Sequence, residues 1–288
     1  MTVVAIDRCL DLIEELAAHP DGCLPTELAN RLRLPESAVH RLLGTLVDRR
    51  YVRQDASTRA YMLTLHLATL GFRLLDARHL PEAGQGVLDR LAAETGEYCR
   101  LALVENGDHH WVAYAQGATQ ALRYEPPMGG KMILHATATG KAWLATLPEE
   151  DAIRLVYMRG FPVPAGVREE TLGCNIISSI DALRAELGKT RERGYAVADE
   201  EAESGTVALA VAFRAQDDAD GPALGTVSVA GPAIRLKGEK RRSWLAARLH
   251  AAAAELSAIW PVWKRQRPTS ARVLVERPRV GAITGATH

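Results

Sequence analysis

Three segments at the start of the chain place apolar residues at helical spacing, and each ends at a turn signal. In the first segment, residues 2–19, six apolar positions share one predicted face: Ile6, Cys9, Leu10, Ile13, Leu16 and Ala17. A Pro-Asp-Gly turn follows, and the second predicted helix runs from Pro25 to about Leu32. The third begins at Pro35, where a missing N–H costs nothing, and its inward face holds Val39, Leu42, Leu43 and Leu46.

Two short strand-like runs follow the third helix. Residues Tyr51–Gln54 and Ala60–Leu63 flank a polar turn and predict a β-hairpin. Three short helices joined by tight turns and followed by a hairpin indicate a winged helix-turn-helix, whose third helix enters the DNA major groove. A plain helical bundle with a solvated polar face is the alternative interpretation.

The polar face of the third helix and the hairpin carry the candidate DNA contacts. Residues 31–59 contain seven arginines and only three acidic residues, although the whole chain balances 35 basic against 35 acidic side chains. Local positive charge suits phosphate groups, and hydroxyl, imidazole and guanidinium groups can reach base edges. We expect contacts from Thr26, Ser37, Ala38, His40, Arg41 and Thr45, with Arg53 and Arg59 on the hairpin.

The pattern changes after a helical segment over 63–78, whose apolar residues occupy more than one face and predict packing against a partner helix. Strands are predicted near 98–105, 109–115, 207–214 and 223–230, with a further short strand at 121–125. Helices are predicted at 83–94, 137–146, 149–158, 180–193 and 237–260. This order predicts an α+β domain with a largely antiparallel sheet and segregated helices.

Composition excludes several classes of protein. With 47% apolar and 24% charged residues, the chain is typical of soluble globular proteins and not of disordered ones. We find no signal peptide and no apolar stretch of the ~18 residues that a membrane helix needs, so we expect a cytoplasmic protein without a membrane partner. The four cysteines form no CxxC motif and fit a reduced compartment. We expect residues 265–288 to form a disordered basic tail.

No catalytic, cofactor or metal constellation is found in the sequence. Gly140-Lys141 lacks the remaining residues of a P-loop, and Glu200-Glu201 has no partner nucleophile. Adjacent His109 and His110 would point to opposite faces of a strand and could not share one metal ion. We therefore expect no enzyme activity, no cofactor and no metal. Two alternatives remain open: an enzyme built on a sensor-like domain, and a protein-interaction sensor that binds no DNA.

Five motifs in order resemble the IclR family of bacterial transcriptional regulators: AIDRCLDLIEEL, LPESAVHRLLGTLVDRRYV, LHATATGKAWLA, RGYAVADEEAESG and LGTVSVAGPAIRL. The resemblance runs from about Ile6 to Trp260. It implies a winged helix-turn-helix over 1–63, a linker helix over 64–80 and a GAF/PAS-like effector-binding domain over 81–264, ahead of the tail. It also implies homodimers or homotetramers on a palindromic DNA operator and a small organic effector. Such a protein would repress or activate a catabolic or transport operon.

The resemblance further implies an effector pocket, lined here by Gly129, Gly130, Met132, Leu134, His135, Ala136, Ala198, Ala208, Ser228 and Ala230. Family members that bind very small organic acids place Asp, Cys and Ser at the positions of Ala198, Ala208 and Ala230. Without those polar groups, a small polar acid would lack hydrogen-bond partners. We therefore expect a larger cavity and a more apolar effector, aromatic or acyl. Simple core packing is the alternative role for these alanines.

Overall fold

The computed structural model describes residues 3–77, 80–126, 132–164, 167, 172–218 and 220–259. The predicted tail lies outside these residues. The chain divides into two compact units, Met1–Arg78 and His79–His288. No helix of the described ranges is long and apolar enough to cross a membrane.

The N-terminal unit contains four helices and a hairpin among its described residues. They are α1 (Val4–Ala17), α2 (Pro25–Leu32), α3 (Glu36–Asp48), β1 (Val52–Gln54), β2 (Tyr61–Leu63) and α4 (His66–Ala77). Leu28, Val39 and Leu43 are fully buried in its core. Arg33 adopts the left-handed conformation that ends α2 and lets α3 begin in a new direction. These elements form the predicted helix-turn-helix and wing.

The inward face of the first helix agrees only in part with the one predicted, since Cys9, Ile13 and Leu16 contact the core but Leu12 was not expected there. Leu12 and Leu16 are buried, whereas Ile6 and Leu10 are 57% and 52% exposed. The sequence offers two overlapping apolar stripes, and packing against α2 and the hairpin selects the stripe through Leu12. Apolar side chains near the start of α1 therefore remain at the surface of this unit.

The C-terminal unit is built on a five-stranded antiparallel sheet. Its strands are β3 (Tyr98–Glu105), β4 (Asp108–Gln116), β5 (Ala196–Asp199), β6 (Thr206–Phe213) and β7 (Gly225–Pro232), in the spatial order β4-β3-β7-β6-β5. Its helices are α5 (Leu80–Thr95), α6 (Ala138–Leu144), α7 (Glu149–Met158), α8 (Ile180–Arg193), α9 (Ala233–Leu236) and α10 (Glu239–Ile259). The predicted α+β class with an antiparallel sheet is confirmed.

Helices cover both faces of this sheet. Alanines of β5 and β6, including Ala198 and Ala210, pack against α6. The alternating positions Val207 and Leu209 face the other side, where α10 packs against β6. Because both faces are covered, β6 is apolar at every position from Val207 to Phe213.

The C-terminal unit differs from the sequence predictions in three elements. Residues 121–125 form no strand, because side chains bind their carbonyls: Arg235 donates to Leu122 O and Gln116 donates to Tyr124 O. The strand β5 was not predicted, since its four residues are too few to show alternation. The predicted helix over 237–260 corresponds to α10, but the short helix α9 before it was not predicted; Gly238, with a φ of 106°, separates the two.

Candidate DNA-binding surface and effector pocket

The candidate DNA contacts lie mainly on one exposed surface of the N-terminal unit. Ser37, His40, Arg41 and Thr45 are exposed on α3, and Ala38 is half-buried. Thr26 is exposed in the first turn of α2. The Thr45 hydroxyl donates to Arg41 O at 3.1 Å, so its oxygen is left to accept. Buried Val39 and Leu43 hold this helix against the unit's core.

The turn of the wing is organised by one carboxylate. Asp55 Oδ1 accepts hydrogen bonds from the backbone N–H groups of Ser57 and Thr58, both at 2.9 Å. These bonds, with those from the two hydroxyl groups, hold the pKa of Asp55 well below its usual range. The predicted contacts Arg53 and Arg59 are exposed on this wing, and Arg59 has a positive φ of 63°. The turn therefore presents Arg59 from a conformation fixed by Asp55.

Three of the alanines assigned by the resemblance form one row across the sheet of the C-terminal unit. Ala198 pairs with Ala208, Ala208 pairs with Ala230, and Ala230 pairs with Tyr98. Since register partners on one row share a face, their methyl groups form a flat floor. Ser228 lies on the next row, paired with Arg100. All six of these residues line one cavity of about 80 Å³.

Arg100 is the principal cation of this cavity, and sequence analysis did not identify it. It is only 9% exposed. Its guanidinium lies 4.6 Å from the centre of the Trp111 ring and 5.1 Å from that of Tyr98. It donates to Pro126 O at 2.9 Å. The cavity thus contains a charge held between aromatic rings, and its only sequence signal was an arginine in the apolar run 98–104.

A β-bulge contributes to this arrangement. The register of β3 and β4 shifts between Leu101 and Ala102, so that Leu101 faces Ala113 and Ala102 faces Trp111. One residue of β4 is therefore left over, which re-aims the indole beside Arg100. The Tyr124 ring packs edge-on against Tyr98, with centroids 6.1 Å apart, and burial raises the pKa of its hydroxyl.

The cavity is small despite its alanines. Tyr98, Trp111 and Tyr124 occupy its walls, while Thr137, Thr139 and Glu203 add polar groups. The described residues around these alanines therefore do not form the larger cavity that was expected, because aromatic side chains fill the space. We refer to this cavity as the Arg100 pocket.

The remaining residues predicted to bind the effector lie elsewhere. Met132, Leu134 and His135 line a second cavity, with His109. Ala136 is fully buried and lines neither cavity. The last two, Gly129 and Gly130, lie outside the described residues. The predicted residues that do line a cavity are thus divided between two cavities of the same unit.

The helix α6 is fixed beside the Arg100 pocket by a buried ion pair. Lys141 is fully buried and donates to Glu201 Oε1 and Oε2 at 2.6 and 2.7 Å. Burial raises the pKa of the Glu201 carboxyl, and the Lys141 ammonium opposes that shift. Gly140 lets α6 approach the preceding turn, since a Cβ there would lie 2.3 Å from Leu134 O. No described cluster of three or more His, Cys, Asp or Glu side chains could hold a metal ion.

Both units match known domains. Residues 5–56 match the IclR helix-turn-helix domain, and residues 72–258 match the C-terminal domain of the bacterial transcriptional regulator IclR. The transcriptional repressor IclR of Escherichia coli K12 is 30% identical over 239 residues, or 83% of each chain.

Solved structures share the fold. An IclR transcriptional regulator from Alicyclobacillus acidocaldarius superposes with a TM-score of 0.73 at 24% identity, covering 90% of this chain and 99% of that one. An IclR homolog from Microbacterium hydrocarbonoxydans, complexed with 4-hydroxybenzoate, superposes with a TM-score of 0.70 at 19% identity over the same shares of the two chains.

A helix-turn-helix domain joined to this α+β domain defines a DNA-binding transcriptional regulator, not an enzyme. The chain belongs to the IclR family of bacterial transcriptional regulators.

Proposed function

We propose that this regulator binds a palindromic operator as a homodimer or homotetramer and responds to a compact aromatic acid bound in the Arg100 pocket. Residues 1–63 would contact DNA, residues 64–80 would link the units, and residues 81–264 would bind the effector. The controlled genes would form a catabolic or transport operon for the same acid, because a regulator that senses a substrate saves the cell from making unused enzymes.

The observation that carries the proposal is the position of Arg100 among aromatic rings. Its guanidinium supplies a positive charge that attracts a carboxylate. The rings of Tyr98, Trp111 and Tyr124 offer faces and edges to an aromatic ligand. The alanine floor has no polar group that such a ligand would leave unpaired.

The size of the pocket limits the effector. About 80 Å³ is far below the ~300 Å³ and above that is usual for drug-sized ligands, so a single ring fits better than a long acyl chain. The 4-hydroxybenzoate complex of the homolog from Microbacterium hydrocarbonoxydans supports the same class of ligand.

Exposed apolar residues of the N-terminal unit support the proposed dimer. Ile6 and Leu10 of α1 and Phe72 of α4 are 57%, 52% and 70% exposed. Apolar side chains of this size on two helices are typical of an interface, and a second copy of the chain would cover them. The effector would then act by favouring one spacing of the two DNA-binding heads, which requires different affinities for the two arrangements.

Isothermal titration calorimetry with a panel of acids tests the proposed effector class. Benzoate and 4-hydroxybenzoate are expected to bind at least about ten-fold more tightly than acetate, pyruvate or octanoate, because only the ring acids match both the charge and the walls. Binding of the two-carbon and three-carbon acids alone would contradict the proposal.

A further inference from the structure

A second cavity of about 400 Å³ lies in the same unit, and none of its described lining residues also lines the Arg100 pocket. Its apolar wall includes Met132, Leu134, Val156 and Met158, contributed by the chain before α6 and by α7. The cavity is five times the volume of the Arg100 pocket and lies within the usual range for small-molecule sites.

His109 gives this cavity an unusual polar group. Both ring nitrogens are buried, and neither has a hydrogen-bond partner among the described residues. The ring is held edge-on against Trp143, with centroids 4.6 Å apart at 82°. Burial lowers the pKa of His109 to about 4, so at neutral pH the imidazole carries one N–H donor and one acceptor. Leaving both unpaired is costly, and a ligand that donates and accepts would remove that cost.

The other polar side chains that line the cavity in the described part of the chain carry no net charge. His135 Nε2 lies 2.9 Å from Pro162 O, and since a carbonyl only accepts, this nitrogen carries the proton. Burial also lowers the pKa of His135, which keeps that ring neutral. Asp108 and Arg159, which line the cavity too, form an ion pair with each other. Among its described lining residues, the cavity therefore offers no uncompensated cation to an acid.

We propose that this second cavity is a separate binding site for a neutral, mainly apolar molecule with a hydroxyl group, which exchanges hydrogen bonds with His109. The site differs in chemistry from the Arg100 pocket, which offers a cation. The proposal does not rest on the identity of the effector, because the two cavities have different residues and can be tested one at a time.

Calorimetry on the full chain with phenol and benzene tests this site. Phenol carries a hydroxyl that both donates and accepts, and benzene is the same ring without it. The wild type is expected to bind phenol at least about ten-fold more tightly than benzene. His109→Phe keeps the edge-on ring but removes both nitrogens, so it is expected to bind the two molecules equally.

Two further experiments test whether phenol binds in this cavity and not in the Arg100 pocket. Met158→Trp adds bulk at a cavity-lining residue that is 45% exposed and is expected to abolish phenol binding without disturbing the fold. Benzoate at saturating concentration is expected to leave phenol binding unchanged. The proposal is overturned if phenol does not bind, if His109→Phe retains the preference for phenol, or if Arg100→Met abolishes phenol binding. Failure of benzoate to bind would count against the proposed effector class alone.

Discussion

The Lys141 ammonium bonds to both carboxylate oxygens of Glu201, at 2.6 and 2.7 Å, and the lysine side chain is fully buried. Lys141 belongs to α6, and Glu201 belongs to the turn between β5 and β6. Thr139 and Ala202, their near neighbours in sequence, both line the Arg100 pocket. The ion pair thus joins two walls of the pocket.

Replacement of Glu201 by Gln is expected to destabilise the C-terminal unit strongly. The substitution leaves a buried ammonium without its main counter-charge, which typically costs about 3–5 kcal/mol. Urea unfolding followed by tryptophan fluorescence measures the loss. Asp151→Asn is the matched control, because it removes the exposed Arg154 pair and should cost under ~1 kcal/mol. Equal small losses in both variants would show that the buried pair is not structurally important.

Substitution of Arg100 by Met is expected to weaken benzoate binding by ten-fold or more. Methionine fills similar space beside Trp111 but offers no charge to a carboxylate. Calorimetry of the variant measures the change, with Arg123→Met as the control. Arg123 is half exposed and pairs with Glu125, so its loss should not alter the affinity. An unchanged affinity of Arg100→Met for benzoate would show that the Arg100 cation does not contribute to binding.

Hydrophobic periodicity predicted the recognition helix well and the first helix only in part. Val39, Leu43 and Leu46 are buried as expected, because α3 has a single apolar stripe. In α1 the segment CLDLIEEL carries apolar residues on two adjacent stripes, and only tertiary packing selects Leu12 over Leu10.

The pockets were harder to predict because they depend on contacts between distant residues. Lys141 and Glu201 are 60 residues apart, and each had a motif-based interpretation that did not involve the other. Arg100 and Trp111 come together because of a β-bulge, and hydrophobic periodicity does not predict the position of a bulge. The resemblance located Ala198, but it could not show that His135 and Ala198 line different cavities.

His109 is expected to make stability fall on acidification. Its pKa is lowered from 6.5 to about 4, mainly by burial. Asp108 opposes this shift, whereas His110 and Arg159 contribute to it. The unfolded chain therefore binds a proton between these pH values that the folded chain does not, so the stabilisation present above pH 6.5 is lost as the pH falls towards 4. Over this pH range the free energy of unfolding is expected to fall by up to about 3 kcal/mol.

Urea unfolding at several pH values measures this loss in the wild type and in two variants. His109→Phe should show a shallower decline of stability between pH 6.5 and 4. His110→Phe replaces the exposed neighbour and should follow the wild type. Identical slopes in all three proteins would mean that His109 titrates alike in the folded and unfolded chains.

Introduction of a charge at Phe72 is expected to dissociate the proposed dimer. Glutamate at this position, which is 70% exposed, would lie buried and unpaired between two copies and should raise the dimer dissociation constant by at least ten-fold. Analytical ultracentrifugation measures the constant. Tyr157→Glu, at an aromatic residue of the C-terminal unit that is 62% exposed, serves as the control. Equal association of both variants would place the interface elsewhere.

Selection of genomic fragments by the purified protein, at near-physiological salt and with or without benzoate, tests the central claim most directly. The account predicts enrichment of a palindromic site beside a catabolic or transport operon, with half-sites in register with the ~10.5 bp DNA repeat, and a change in that enrichment when benzoate is present. Salt-sensitive binding to all fragments alike, with no enriched site in either condition, would contradict it.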